Sequence, residues 1–409
     1  MRGVVQLKEA VNYSEDRINI DSVTLENFVT TDNLLQNKLG LTTAVNLPPQ
    51  EGRLPSFNSD NILVANIRPY LKKIWFSNRN GGCSADVLVF TVKNEYDPKF
   101  VYYSMYRDDF FNHMMRGAKG TKMPRGDKNQ IMEFTLPNFK KSIQKKISAV
   151  LSSLDAKIEL NNRINVELEA MAKTLYDYWF VQFDFPISKE QAKAMGKPEL
   201  TGKPYKSSGG KMVYNETLKR EIPERWEVRP LISFCVNIGD GIHGTPKYVE
   251  ASNYSFINGN NLKNGFIQIT KETKKVSKDE YEKHYIELNE ETILLSINGT
   301  IGNLAVYSGE KVMLGKSAAY INCKDNYRPY CYQYLKMKNI QQVLWSIATG
   351  STIKNLSLDS LKMLLLPMPD SKTSELFYNL LKPIDTKRQS IFQQNQQLAQ
   401  LRDWLLPML

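Results

Sequence analysis

The side chains of this 409-residue chain that could do chemistry sit in short loops rich in glycine, amide, hydroxyl and basic residues. The chemistry they suit is hydrogen bonding to phosphates and base edges. In Gly239–Lys247 the glycines let a backbone approach a phosphate, while His243, Thr245 and Lys247 supply donors. Asn258–Lys263 offers Asn260, whose amide can bond adenine through two hydrogen bonds, and Lys263. Asn298–Asn303 offers Asn298, and Lys316 joins this second set. Earlier in the chain, Asn66–Lys73 is basic and aromatic, with Arg68, Tyr70 and Lys72. Gly120–Lys128 and Gly350–Asn355 each combine a small residue, a hydroxyl and a cation, which adds Lys122 and Arg125 to one set and Thr352 and Lys354 to the other. The lysines are expected to hold phosphates, and the asparagines and arginines to read bases. Every one of these loops also fits a plain connection between strands, because Asn and Gly are common turn formers.

Catalytic constellations are missing from the sequence. It has no Gly-rich dinucleotide fingerprint and no GxxxxGK[ST] phosphate loop. Leu47-Pro48-Pro49-Gln50 is not the Asn/Asp-Pro-Pro-aromatic motif of amino-group methylation, and Asp240, Glu272 and Lys274 are too widely spaced for a convincing nuclease set. The histidines, His113, His243 and His284, are scattered without an obvious nucleophile. Cys83, Cys235, Cys323 and Cys331 form no CxxC pair, so no metal site of usual spacing is expected, and such sparse cysteine fits a reducing cytosol. A net charge of +11 favours an anionic partner. No apolar run approaches a membrane span and no signal-peptide core opens the chain, so a cytoplasmic protein is expected, non-catalytic by itself.

The elements that position these loops occur twice. Gly120 and Gly350, Pro137 and Pro367, Asp155 and Asp385, Asn165 and Asn395, and Leu175 and Leu405 are all 230 residues apart. Ile62-Leu63-Val64 matches Ile293-Leu294-Leu295 at an offset of 231. A period this long means two globular modules rather than a solenoid. Strands are expected near Asn61–Ala65, Asp86–Val92, Tyr254–Ile257, Thr292–Ile297 and Ala318–Asn322, and a helix over Phe100–Met115. After each module the period changes to three and four. Ile147, Val150, Leu154, Ile158, Asn161, Ile164, Leu168, Met171, Leu175 and Tyr178 form one seam, with Asn138 a candidate N-cap. Leu376, Leu380, Ile384, Arg388, Ile391, Asn395, Leu398, Leu401 and Leu405 form the other. Pro383 predicts a kink or break there. Asn165 and Asn395 fit either a solvated flank or register setting. A helix of about 60 Å needs a helical partner. Connectivity makes the two antiparallel, an intramolecular coiled coil with a pseudo-two-fold axis like that of duplex DNA.

The run Leu175–Pro186 resembles the end of the central helix in specificity subunits of type I restriction–modification systems. Gly202–Asn215 followed by Ile222–Val228 looks like the start of that family's second target-recognition domain, and Gly120–Asp127 and Leu151–Asn162 also match its pattern. The first module, opening at Met1-Arg2-Gly3, lacks the Pro-x-x-Trp present at Pro223 to Trp226. The resemblance covers essentially the whole chain and implies an α+β fold. Its expected parts are a target-recognition domain at 1–138, a central conserved helical region at 139–185, a linker at 186–221, a second target-recognition domain at 222–370 and a C-terminal conserved helical region at 371–409. It implies that each domain reads half of a bipartite double-stranded DNA site. It also implies two copies of an adenine methyltransferase (modification) subunit on the helices and two restriction (motor-nuclease) subunits in the full complex. S-adenosylmethionine and ATP would belong to those partners, with no cofactor in this chain. The competing reading is a coiled-coil scaffold that binds proteins. The half-site sequences are not written in the chain, because they depend on loop geometry and DNA shape.

Overall fold

Ile62-Leu63-Val64-Ala65 and Val87-Leu88-Val89-Phe90 are apolar at consecutive positions because both faces of these strands are covered. They are neighbours in an antiparallel sheet of order 11–13, 87–92, 62–65, 74–76. The computed structural model describes residues 3–48 and 52–408. Met1 and Arg2, on which the reading of the N-terminus rests, lie outside the described residues, as do Pro49 and Gln50 of the Leu47–Gln50 stretch, Glu51 and Leu409.

The chain divides into two units, residues 1–160 with 394–409, and residues 161–393. In the first, a second sheet has the order 17–19, 53–57, 81–83, 28–29, and Val4–Gln6 pairs with Thr135–Pro137 to close the module before the long helix. The second unit repeats the scheme. Its sheets have the orders 235–240, 318–323, 292–296, 304–306 and 248–249, 275–276, 254–257, 312–314, and Glu227–Pro230 pairs with Leu365–Met368. The expected strands are all present. The expected helix over Phe100–Met115 is two helices, Pro98–Tyr106 and Asp108–Arg116, because Arg107 adopts an extended conformation.

The first long helix spans Lys141–Tyr176 and continues as a π turn over Asp177–Val181. Asn138 does not cap it. Its N–H donates instead to the Gly3 carbonyl (3.0 Å), extending the closing strand pair. The last helix runs unbroken over Ser371–Leu405, so the break expected at Pro383 does not occur. Pro383 is exposed, and so is Asn379, whose carbonyl has no partner four residues on because proline carries no N–H. The turns around it are fixed by buried Phe377 and Leu381 and by Ile384 against the same core. The heptad seams are only partly right. Val150, Met171, Tyr178, Leu376, Leu380 and Leu401 are exposed, because a 3.6-residue helix drifts from a 3.5-residue repeat.

Charged pairs lock the helices to each other and to the module within each unit. In the first, Asp155 accepts from the Tyr103 hydroxyl (2.7 Å) and pairs with Arg402 (2.8 Å). In the second, Arg388 pairs with Glu169, while Arg328 pairs with Asp385 (3.0 Å). Phe377 packs on Tyr176, Trp179 and Phe180, so the helical segments of this unit run antiparallel. Arg388 is only 6% exposed. Its replacement by Ala would leave Glu169 with Lys336 as its remaining cation, and we expect the second unit to lose about 1–3 kcal/mol, measured by urea unfolding followed through tryptophan fluorescence.

Candidate nucleic-acid interface

At the end of the strand Ile62–Ala65 the chain must turn sharply to return at Ile74. Arg68 makes that turn in the left-handed region (φ +53°), as does Lys72 (φ +52°), flanking a 3-10 turn at Pro69–Leu71. A backbone ladder ties this tip to the loop after the helix Asp108–Arg116. Ile67 bridges Arg125 antiparallel, the Arg68 N–H donates to the Pro124 carbonyl (2.8 Å), and the Gly126 N–H donates to the Asn66 carbonyl (3.1 Å). The loop is itself a small hairpin in which Lys119 and Arg125 exchange two hydrogen bonds of 2.9 Å. Arg68, Tyr70, Lys122 and Arg125 are thereby brought to one exposed tip. Arg125 is held by Asp86 at 3.0 Å. Asp127 caps the following helix, and the Gln130 N–H, the Lys119 ammonium and the Asn129 N–H hold its carboxyl below the usual carboxylate range.

The second unit carries the same ladder. Asn298 bridges Asn355, the Gly299 N–H donates to the Lys354 carbonyl (3.1 Å), and the Leu356 N–H donates to the Ile297 carbonyl (2.8 Å). Thr349 and Asn355 exchange hydrogen bonds of 2.9 and 2.7 Å. His243, Asn298 and Lys316 line one open depression of about 470 Å³, together with Asp240, Asn355 and Lys362. His243 Nε2 lies 3.0 Å from the Asp240 carboxylate. The Ser317 hydroxyl donates to Asn258 Oδ1 (2.9 Å) and accepts from the Gly259 N–H (3.0 Å), which fixes the turn bearing exposed Asn260.

Three of the expected contacts are placed differently. Lys72 is engaged by Asp108 (3.1 Å), which also holds Lys38 (2.9 Å); burial pushes the Asp108 carboxyl up, but the two ammonium groups outweigh it and hold it below its ordinary value. The half-buried Lys354 ammonium turns back to the Ala348 carbonyl (3.3 Å). Lys263 sits in a hairpin whose Phe266 stacks on Phe392 of the last helix (4.3 Å), and it does not line the depression. Lys247 and Thr352 are exposed on loops outside the depression's lining. Asn355 and Lys362 were not singled out from the sequence. The signal for Asn355 was available, since it stands 230 residues after Arg125. Lys362 carries no such signal, because it reaches the depression from a helix, Leu358–Lys362.

A family model, "Type I restriction modification DNA specificity domain", matches residues 21–170 and 223–400. The chain belongs to this family. It is 25% identical to the type I restriction enzyme HindI specificity subunit of Haemophilus influenzae, over 93% of each chain. It is 22% identical to the type I restriction enzyme MjaIX specificity subunit of Methanocaldococcus jannaschii, over 76% of this chain and 68% of that one. The crystal structure of a type I restriction–modification S subunit from M. genitalium shares its fold, with a TM-score of 0.56 at 16% identity, over 99% of this chain and 94% of the other.

Several of the residues on which the resemblance rests are structural. Phe185 is sandwiched between Tyr205 (4.8 Å) and Trp226 (5.2 Å), and Ser207 binds the Asp184 carboxylate through its N–H and hydroxyl, both at 2.7 Å. The Tyr205 hydroxyl donates to the Lys211 carbonyl (3.0 Å), and a Cβ on Gly210 would lie 2.5 Å from the Tyr205 ring. Among the described residues no cluster of three His, Cys, Asp or Glu side chains could hold a metal, and no helix is long and apolar enough to cross a membrane.

Arg68 occupies a backbone conformation that its counterpart fills with Gly299 (φ +73°). Replacing Arg68 by Gly relieves that strain while loosening the unfolded chain, so we expect stability within about 0.5 kcal/mol of wild type. DNA affinity should nevertheless fall, as read by fluorescence anisotropy on labelled duplex. Lys72→Ala should weaken binding less than Lys122→Ala, because Asp108 already neutralises Lys72.

Proposed function

We propose that this chain is the sequence-reading subunit of a type I restriction–modification enzyme, with each unit presenting one reader to one half of a bipartite double-stranded DNA site. The observation that carries this reading is the repeated ladder with unlike side chains on it. Ile67 faces Arg125 in one tip, and Asn298 faces Asn355 in the other. A shared scaffold with different donors and acceptors is what two different half-sites require. In this reading Arg68, Tyr70, Lys122 and Arg125 serve one half-site. His243, Asn260, Asn298, Lys316, Asn355 and Lys362 serve the other, with Lys247 and Thr352 on flanking phosphates.

The long helices act as the ruler. The 36 residues of Lys141–Tyr176 rise about 54 Å. Exposed apolar side chains along them, among them Val150, Val166, Met171 and Trp404, suit docking of two modification subunits, with two restriction subunits completing the assembly. S-adenosylmethionine and ATP belong in those partners, and the complex works in the cytoplasm on DNA.

Selection from a random duplex library, with the chain co-purified with its modification subunit, is the test. Two fixed blocks separated by a constant spacer are expected, with binding that weakens steeply in salt as counterions are released. Salt-sensitive binding without an enriched motif would leave a generic basic scaffold. Arg125→Ala and Asn298→Ala should each relax one block only, by about 1–3 kcal/mol per lost base contact. Loss of preference in neither block would sink the assignment.

A further inference from the structure

The two tips differ in the side chains on their ladders, yet their turns share a glycine, a hydroxyl and an apolar residue at matching positions. Met123 and Ile353 are 230 residues apart and stand at the apex of the same hairpin turn. Both are apolar, and both project from a basic, polar surface with 50% and 63% of their area exposed. The turn is built to hold them out. Gly120 and Gly350 enter it with φ of +94° and +102°, a region that L side chains rarely adopt, and a Cβ on Gly350 would lie 2.3 Å from the Ile353 carbonyl. The hairpin is closed below the apex by Lys119–Arg125 in one unit and Thr349–Asn355 in the other. It is then bolted to the strand tip by the backbone ladder, so the apex has little freedom to fold its side chain back. Exposing an apolar side chain at a rigid apex leaves its burial free energy uncollected in the free protein.

Sequence reading does not account for the pair. A device present in both readers, while the hydrogen-bonding groups around it diverge, performs a step common to both half-sites. Met and Ile belong to the small set of side chains that wedge between base steps, partly unstacking them and kinking the duplex. The neighbours suit that role: Thr121 and Lys122 precede Met123, and Ser351 and Thr352 precede Ile353. These are hydroxyl and cationic groups of the kind that grip phosphates flanking an opened step.

We infer that Met123 and Ile353 are apolar wedges, each inserted at one base step of its own half-site to unstack and bend the DNA. The inference rests on the DNA-reading function proposed above and adds a shape-changing step to it. Unstacking consumes part of the free energy that insertion supplies, so affinity is a poor readout and DNA geometry is the proper one.

The test uses the full chain alone, at low salt, with duplexes carrying the selected bipartite site. 2-Aminopurine replaces bases one at a time through each half-site, and a donor–acceptor pair on the duplex ends reports bending. The wild-type chain should raise 2-aminopurine fluorescence at one step in each half-site and shorten the end-to-end distance. Met123→Ala should abolish the rise in the first half-site only, and Ile353→Ala in the second only. The double variant should lose most of the bend while keeping the wild-type salt dependence of binding. Met123→Leu and Ile353→Leu should retain both signals. Salt-sensitive binding by wild type with no fluorescent step, or a rise that persists in the Ala variants, would overturn the wedge and leave DNA reading intact. No binding of wild type to the duplex would remove the DNA reading itself, and the wedge with it.

Discussion

The candidate interface in each unit depends on one interaction, the backbone ladder between the end of a buried strand and the turn that follows the module's helices. Loops are usually the least constrained parts of a fold. Here the turn cannot move without breaking hydrogen bonds to Ile67–Arg68 in one unit or Asn298–Gly299 in the other. Because the ties are made by backbone atoms, the side chains at those positions are free to differ. Ile67 and Asn298, Arg68 and Gly299, and Arg125 and Asn355 differ in size, charge and hydrogen-bonding capacity, yet they occupy one geometry. That separation of scaffold from reader is what allows one fold to serve unlike targets.

The same separation holds for residues away from the tips. Phe185, Tyr205, Trp226 and Ser207 pack and hydrogen-bond within the second unit, where any change of size would be felt by close neighbours. The charged pairs of the long helices are likewise positional. Asp155 with Arg402, and Glu169 with Arg388, tie one long helix to the other within each unit.

Much of this was legible in the sequence because it is written in apolar periodicity and in the repeat. The strands at Ile62 and Thr292 follow from their apolar runs, the long helices from the three-and-four period, and the two matching modules from the offset of 230–231; the pairing of tip with turn was not read. Three-dimensional partners decide the rest. Lys72 and Lys354 were expected to hold phosphates, and nothing in the sequence showed that Asp108 and the Ala348 carbonyl engage them. Pro383 predicted a kink or break, but the helix runs unbroken through it, with packing on either side. Lys362 was invisible because nothing in its local pattern shows that its helix borders Asn298.

The most direct test of two independent readers is hydrogen–deuterium exchange of the full chain with and without DNA. With a duplex carrying both half-sites, amides at 66–72 and 119–127 and those at 298–303 and 349–355 should all slow. Scrambling one half-site should release only one of these sets, and scrambling the other should release the second. Protection that rises and falls together at both tips, or that ignores the sequence of either half-site, would contradict the account.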